Sequence, residues 1–550
     1  MSTTSTAAAR TLSGSPLAGL GELCRHIVRR DRIRLTVWTL SIAAFTLYFA
    51  FALTTIFDEA ALRARAAVME TPSGIVMGGP GYGLDDYTPA VAMANEGITW
   101  IVLALAIMSI LHVVRHTRLE EETGRSELVL ASAVGRRAPG VAAMLTLGAH
   151  LLVTAAVATG AMLLGAPDAP LADTAAMMLG CALSAFVFGA VALVTSQITS
   201  HARTAIGLAL AVFGLAFVVR AAGDLQERGG SALSWLSPIA WAQQLRAFVD
   251  VRWWPLLLSL AAVVALLVVA ALLSGRRDIG AGLVATRPGR RDARTTLRSP
   301  MALAWLQQRG ALLWSTLGLG LLWFASGTMM STLDDMVSDL VETNPIIGQL
   351  FGTDPSEFTT SFLGVMMLYI SLCAAAYAIV AGQRPKGEET AGRLELPLAA
   401  PVSRARWLGG QLTVAGLGTL VLLAASVYGL WAGAALVGVD DPGLGDYTAV
   451  FVSYTPAVLV FLGLTAALYG WAPRATGLAW LLLAFVFIAG MFGALFELPE
   501  WVLGISPFHW VPESFGDGVD GAGLAGLTAV AAALFLVGIV GFRRRDALSG

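Results

Sequence analysis

Residues 253–274 read WWPLLLSLAAVVALLVVAALLS, an unbroken apolar run without a charged side chain. A helix needs roughly 20 predominantly apolar residues to cross the hydrocarbon core of a bilayer, so this stretch predicts one crossing. Runs of the same kind precede it near 35–57, 98–114, 141–164, 173–197 and 204–222. Six more follow near 311–331, 361–381, 407–437, 447–471, 475–496 and 521–542. The alternation in short segments that marks a membrane β-barrel is absent. The expected fold is therefore an all-α membrane protein of about 12 transmembrane helices. Composition agrees: 56% of the 550 residues are hydrophobic and 13% charged, against about 25% charged in soluble domains.

The net charge of −2 conceals a segregation. With the N-terminus placed in the cytosol, the inside segments hold 29 of the 35 basic residues and 12 of the 37 acidic ones. That leaves +17 inside and −19 outside, the asymmetry of the positive-inside rule. Both termini are predicted cytosolic. Arg276, Arg277, Arg287, Arg290, Arg291, Arg294 and Arg298 crowd the stretch 275–310. This reads as a cytosolic linker beside anionic lipid rather than a nucleic-acid patch. The first apolar run begins too late and is too long for a cleaved signal. Cys24, Cys181 and Cys373 form no disulfide framework, and no metal site is expected in the chain.

The sequence repeats itself, which points to duplicated architecture. Glu121-Glu122-Thr123-Gly124-Arg125-Ser126-Glu127-Leu128 resembles Glu388-Glu389-Thr390-Ala391-Gly392-Arg393-Leu394-Glu395-Leu396, with one inserted residue. Ser237-Pro238-Ile239-Ala240-Trp241 resembles Ser506-Pro507-Phe508-His509-Trp510, and Glu70-Thr71 resembles Glu342-Thr343. The order is the same in both halves. An even number of spans per half makes this a parallel repeat.

The first repeated segment falls in the cytosolic loop after the second span of each half. Acids at a helix start suit its dipole, and Leu128, Val129, Leu130, Leu394, Leu396 and Leu398 give it an apolar side. It reads as a capped surface helix or as a docking surface for a cytosolic partner. The second repeated segment lies outside, before the last span of each half. Proline stops a helix and tryptophan favours the interface, so it is an aromatic anchor or a re-entrant helix closing a pathway. Within the spans, Tyr48, Phe49, Phe324, Met330, Phe362, Met366, Tyr369, Phe487 and Met491 supply soft apolar surface. Such side chains repack around varied ligands, and equally serve ordinary helix packing.

No G-x-x-x-x-G-K-[ST] phosphate loop occurs. The single lysine, Lys386, stands between Pro385 and Gly387. Mid-membrane carboxylates are absent from the predicted spans, so a proton relay is not expected. His112 and His150 fall near span ends and are expected at the surface or interface.

With these residues in view, the chain resembles the ABC-2 type (type V) exporter permeases, and among them the fused twelve-span permeases of tetronasin-type polyketide-antibiotic exporters. The resemblance covers nearly the whole chain. It rests on the two six-span halves, the Glu-Glu-Thr-Gly-Arg-x-Glu-Leu loop and the continuation Pro401-Val402-Ser403-Arg404. It also rests on amphipathic stretches before each first span: 17–34, with Leu20, Leu23 and Ile27, and 299–310, with Met301, Leu303 and Trp305. It implies a cytosolic arm with an elbow helix at 1–34, a first half at 35–274, a linker with a second elbow at 275–310, a second half at 311–542 and a tail at 543–550.

It further implies that the loops are coupling helices docking a separate ATPase, through Glu121, Glu122, Thr123, Gly124, Arg125 and Glu127, and through Glu388, Glu389, Thr390, Gly392, Arg393 and Glu395. The segments around Pro238, Trp241, Pro507 and Trp510 become re-entrant and gate the extracellular side. No cofactor is expected in this chain; two copies of a cytosolic ABC ATPase would bind ATP and Mg. The first half has Ala133-Val134-Gly135-Arg136 in place of Pro-Val-Ser-Arg, so unequal docking sites are expected. The expected function is a cell-membrane permease subunit, not itself an enzyme, exporting hydrophobic or amphipathic drugs, antibiotics or lipids. Its other expected contacts are membrane lipid and the substrate, with no nucleic acid. The alternatives are an ion-gradient-driven secondary transporter, or a lipid-modifying enzyme using the acids Asp334, Asp335 and Asp339.

Overall fold

The computed structural model describes residues 15–132, 134–284, 291–292, 295, 297–330, 355–492, 498–511 and 519–546. Among them all regular structure is helical, and twelve helices are long and apolar enough to cross a membrane. In the first half these are α1 (Leu20–Thr55), α2 (Ile98–His116), α3 (Ala138–Gly165), α4 (Leu171–Ile198), α5 (Ala202–Gln226) and α6 (Pro255–Ser274). In the second they are α7 (Pro300–Gly327), α8 (Pro355–Gly382), α9 (Arg404–Leu436), α10 (Leu444–Trp471), α11 (Leu478–Phe492, which reaches spanning length with the 3-10 turn before it, as Pro473–Met491) and α12 (Gly521–Arg544). Glu342, Thr343, Asp334, Asp335 and Asp339 lie outside the described residues, as do Arg287, Arg290 and Arg294.

The chain forms two compact units, Met1–Gly289 and Arg290–Gly550. Each has its own apolar core, and the packing repeats. The first span lies along the third (α1 on α3, α7 on α9), the fourth along the sixth (α4 on α6, α10 on α12), and the second along the fourth. In each unit one end carries the start of the first span, the loop after the second and the end of the sixth. Basic residues collect there, and it is called the basic end below; the other is the acidic end.

The amphipathic stretches expected as separate elbows are continuous with their spans. α1 runs 36 residues from Leu20, about 54 Å at 1.5 Å per residue. No glycine or proline interrupts it after Gly21, so nothing in the sequence forces a break. The second stretch likewise continues into α7, which starts with Pro300 in its first turn and Ser299 Oγ accepting from the Ala302 N–H.

Without a hydrophobic drive between helices in lipid, close packing relies on small residues. A Cβ on Gly433 would stand 2.0 Å from the Phe324 carbonyl oxygen, and one on Gly327 would stand 2.1 Å from that of Leu430. Gly429, one turn earlier on α9, faces the Gly320 carbonyl at 2.7 Å in the same sense. Gly433→Leu is expected to separate α7 from α9 and cost at least the ~1–3 kcal/mol of core overpacking. Thermal unfolding of the purified protein in detergent should show it as a clear drop in Tm; an unchanged Tm would contradict this contact.

Candidate functional site: the paired loops and the outer turns

Each loop after a second span folds as two short helices hinged at a glycine. In the first unit these are Arg118–Glu122 and Arg125–Leu130, with Gly124 at φ 72° between them. In the second they are Arg384–Thr390 and Glu395–Ala399, with Gly392 at φ 68°. Neither glycine has a neighbour that a Cβ would strike. Its role is thus the left-handed turn, which side chains disfavour. The preceding threonines also match: Thr123 Oγ1 donates to the Leu119 carbonyl and Thr390 Oγ1 to that of Lys386, each at 2.8 Å. The Thr-(Ala)-Gly-Arg repeat is therefore a left-handed turn between two short helices.

The acids of the loops divide into inner and outer groups. Glu121 pairs with Arg277, just past α6, through two contacts of 2.7 Å, and with the buried Arg118 at 2.9 Å. Glu389 pairs with Arg545, just past α12, at 2.7 and 2.6 Å. Tyr469 of α10 donates to the same carboxylate at 2.7 Å, and Arg545 lies over the Tyr469 ring at 4.9 Å. Side-chain exposure is 17% for Glu121 and 3% for Glu389. The hydrogen bond that Arg545 donates to Glu389 raises the Arg545 pKa above its usual value. In both units, then, an arginine beyond the sixth span latches the loop after the second. The sequence match set Glu122 beside Glu389, but the latches give Glu121 and Glu389 the same role. Arg277, grouped by sequence with the lipid-facing linker, is instead 8% exposed.

A second anchor ties the first loop to the last turn of α4 and the segment beyond α6, and the second loop to the turn after α10. Arg118 donates from Nε to the Ser196 carbonyl at 2.8 Å and from Nη1 to that of Ala281 at 3.2 Å. In the second unit Lys386 Nζ donates to Thr476 Oγ1 at 3.0 Å and Gln383 to the Thr476 carbonyl at 3.1 Å. The single lysine is a loop anchor. Glu122 Oε2 accepts from the Ala202 N–H at 2.8 Å, capping α5.

What remains outward is a matched pair of tips. Glu127 and Glu395 are exposed, as are Arg125 and Arg393; Leu128 and Leu396 are each 77% exposed. An exposed leucine beside an acid, in the same place in both units, is the sequence-predicted feature most available to a partner. The units differ just beyond it. In Pro401-Val402-Ser403-Arg404, Ser403 accepts from the Arg406 N–H at 3.2 Å and caps α9. In the first unit the arm takes that place. Gly135 donates to the Ala18 carbonyl at 3.0 Å and Arg137 to that of Pro16 at 3.2 Å. A Cβ on Gly135 would fall 2.2 Å from Pro16 backbone atoms. The motif departs here because the arm packs where a side chain would stand.

At the acidic ends the Ser-Pro-x-x-Trp segments share one turn. Ser237 Oγ and Ser506 Oγ accept from Ile239 and Phe508 N–H at 3.3 and 3.2 Å. The indoles of Trp241 and Trp510 donate to the carbonyls of Trp235 and Gly504, six residues back, at 2.7 and 3.0 Å. In the first unit the segment runs inward along α4. Helix Pro238–Gln243 leads to Leu245, which is fully buried, and a Cβ on Gly180 would meet Leu245 at 2.2 Å. Gly180 is nine residues into α4, about 14 Å along it. The return uses two left-handed non-glycine residues, Arg246 at φ 51° and Phe248 at φ 67°, conformations held only where packing dictates them. Arg246 stacks on Tyr82 at 4.4 Å, and the Phe248 N–H donates to Asp173 at 3.0 Å. In the second unit Pro507–Trp510 is a single 3-10 turn, with Pro507 and Phe508 buried and Trp510 56% exposed.

Buried carboxylates are present at the margins of spans expected to carry none mid-membrane. Helices longer than their apolar runs carry them in. Asp31 of α1 is 3% exposed, bonded to His116 at 2.8 Å and to Arg115 at 3.2 Å. His112 and His150, expected at the surface or interface, are 6% and 8% exposed. Arg220 and Asp224 of α5 are paired at 3.4 Å and buried; Arg220 also donates to the Ile75 carbonyl at 3.2 Å, and Ser234 to Asp224 at 2.6 Å. Both carboxylates are matched by arginines, unlike the lone acid of a proton carrier. Of the apolar candidates, Tyr48 (59%) and Phe487 (38%) are exposed on their units, while Met330 at 1% belongs to the core. Phe49, Phe324, Met366, Tyr369 and Met491 are half-buried. The Phe362 side chain lies outside the described residues.

The comparisons with known proteins agree with this duplicated plan. The family model described as "Multidrug efflux system permease Rv1217c, C-terminal domain" matches residues 25–275 and 297–543, one stretch in each half. The multidrug efflux system permease protein Rv1217c of Mycobacterium tuberculosis (strain ATCC 25618 / H37Rv) is 37% identical over 540 residues, covering 97% of this chain and 96% of that protein. With a full-length relative at that identity and the family model spanning both halves, the chain belongs to the Rv1217c family of multidrug efflux system permeases.

Proposed function

We propose that the chain is the transmembrane subunit of an ABC exporter, of the tetronasin-type fused subgroup. It moves hydrophobic or amphipathic compounds out of the cell as a multi-pass protein of the cell membrane. The basic ends face the cytosol, as the charge distribution favours. One cytosolic ATPase docks on each loop, two in all, and those subunits bind the ATP and Mg that this chain has no phosphate loop to hold. Drugs, antibiotics or lipids are the substrates, taken up along apolar surfaces that include Tyr48 and Phe487. The segment at Pro238, which runs inward along α4, and the turn at Pro507 close the outer end.

The observation that carries this reading is the twin loop. Both are hinged at a left-handed glycine, latched to the end of the sixth span, and tipped by an exposed Glu-Leu pair. A push on the tip reaches the sixth span through the latch. From there it reaches the outer turn that precedes that span. The test is ATP-dependent uptake of a hydrophobic dye into inverted vesicles containing the permease and its co-expressed ATPase. Uptake should vanish without either subunit. Uptake that persists without ATP and collapses with an uncoupler would instead establish an ion-driven carrier.

A further inference from the structure

Between α1, α2 and α3, at the basic end of the first unit, three metal-capable side chains meet away from the loop surface. Their ligating atoms, one each from Asp31, His112 and His116, lie within 4.8 Å of one another, and all three residues are buried. We infer that they form a binding site for a divalent first-row transition ion of the zinc type.

The donor set fits that class. Two imidazoles and a carboxylate suit zinc, cobalt or nickel rather than the all-oxygen shells of magnesium and calcium. His112 and His116 are one helical turn apart on α2, the spacing that sets two imidazoles on one face, and their rings are 4.8 Å apart. The third ligand comes from the neighbouring helix, so an ion would staple α1 to α2. Three protein ligands leave a fourth position for water. Ligand arms of about 2.0–2.1 Å need donor separations of about 3.3 Å. Asp31 and His116 are already at 2.8 Å, so the main adjustment is a swing of the His112 ring.

The outer contacts that orient ligands are also present. Thr146 of α3 holds one ring nitrogen of His112, Nε2, at 3.1 Å, leaving Nδ1. Arg115 holds Asp31 Oδ1 at 3.2 Å, leaving Oδ2, the oxygen now on His116. The nearby Arg30 is already paired to Glu120 at 2.7 Å, which reduces its repulsion of a cation. Access exists from two sides. His112 and Arg115 line a cavity of about 350 Å³ between α1, α2 and α5. His116 lines another of about 200 Å³ that reaches the loop at Glu120 and Glu121. Of the six histidines only His509 lies in the second half. Gln307, Gln308 and Gln411 join its first and third spans there, so one site per chain is expected.

The test uses full-length permease purified through a non-histidine tag and treated with chelator. Titration with CoCl2 should give one saturable equivalent with visible ligand-field absorption, displaced by ZnCl2. ZnCl2 should also raise the Tm. H112A/H116A and D31N should lose both signals, while H201A, an exposed histidine on the α4–α5 turn, should keep them. H116N retains a hydrogen-bonding group for Asp31, so it distinguishes lost metal from lost folding. It should remain monodisperse, with a Tm near that of the metal-free wild type, yet fail to respond to zinc. No saturable equivalent in the wild type, or an undiminished band in H112A/H116A, would overturn the site and leave Asp31–His116 as a helix-to-helix hydrogen bond.

Discussion

Arg545→Ala is expected to abolish most substrate transport while leaving ATPase binding in place. The substitution removes both hydrogen bonds from Arg545 to Glu389, a carboxylate of 3% exposure that also accepts from Tyr469. Breaking one partner of a buried ion pair costs ~3–5 kcal/mol, because the remaining charge keeps its desolvation penalty. The loop would release Glu389 to water, and the stroke delivered to it would no longer reach α12. The expected phenotype is ATP hydrolysis without uptake in reconstituted vesicles. The double variant E389Q/R545Q separates folding from coupling. Replacing both charges is far milder than removing one, so its Tm should recover toward wild type while uptake stays low. Full uptake in the double variant would show that the pair only stabilises the fold. Arg277→Ala in the first unit should be milder, since Glu121 keeps Arg118 at 2.9 Å and is already 17% exposed. The loops should thus contribute unequally, in a direction that the Ala133–Arg136 departure alone did not specify.

The twelve spans were legible because lipid leaves a helix no alternative to a long apolar run. Residues 253–274 needed nothing beyond their length. The loop repeat was legible because a left-handed glycine and a serine cap are local devices. Thr-Gly-Arg and Val-Ser-Arg state them in adjacent letters. The latches were not. Arg277 and Arg545 sit 156 residues from Glu121 and Glu389, and each resembles any juxtamembrane arginine until the fold closes. A signal was nevertheless present: both partners recur at the same spacing of 268 residues, and matching the arginines as well as the loops would have paired them. Buried charge was missed for another reason. Apolar runs mark where hydrocarbon begins, not where a helix ends. Asp31 and Asp224 therefore fell just outside the predicted spans yet inside α1 and α5. Their exposure depends on neighbouring helices, which hydropathy along one strand of sequence does not contain.

Leu396→Asp is expected to remove the ATPase from the second loop. The side chain is 77% exposed, as is Leu128, and belongs to none of the apolar cores formed by the described residues. Interface anchors of this kind, when truncated or charged, cost ~2 kcal/mol or more, about a thirtyfold loss of affinity. The neighbouring Glu395 and Glu127 would steer the approach of a basic surface, acting mainly on association rate and salt dependence. Leu396→Asp should therefore lower the amount of ATPase retained on affinity purification at any salt, whereas Glu395→Lys should do so most strongly at low salt. L128D/L396D should retain none and transport nothing, with the Tm of the permease unchanged because the side chains lie outside both cores. Undiminished ATPase retention by L128D/L396D would remove the tips from the docking surface. The engine would then have to grip elsewhere on the basic ends, with the arm at Pro16–Ala18 the next surface to probe.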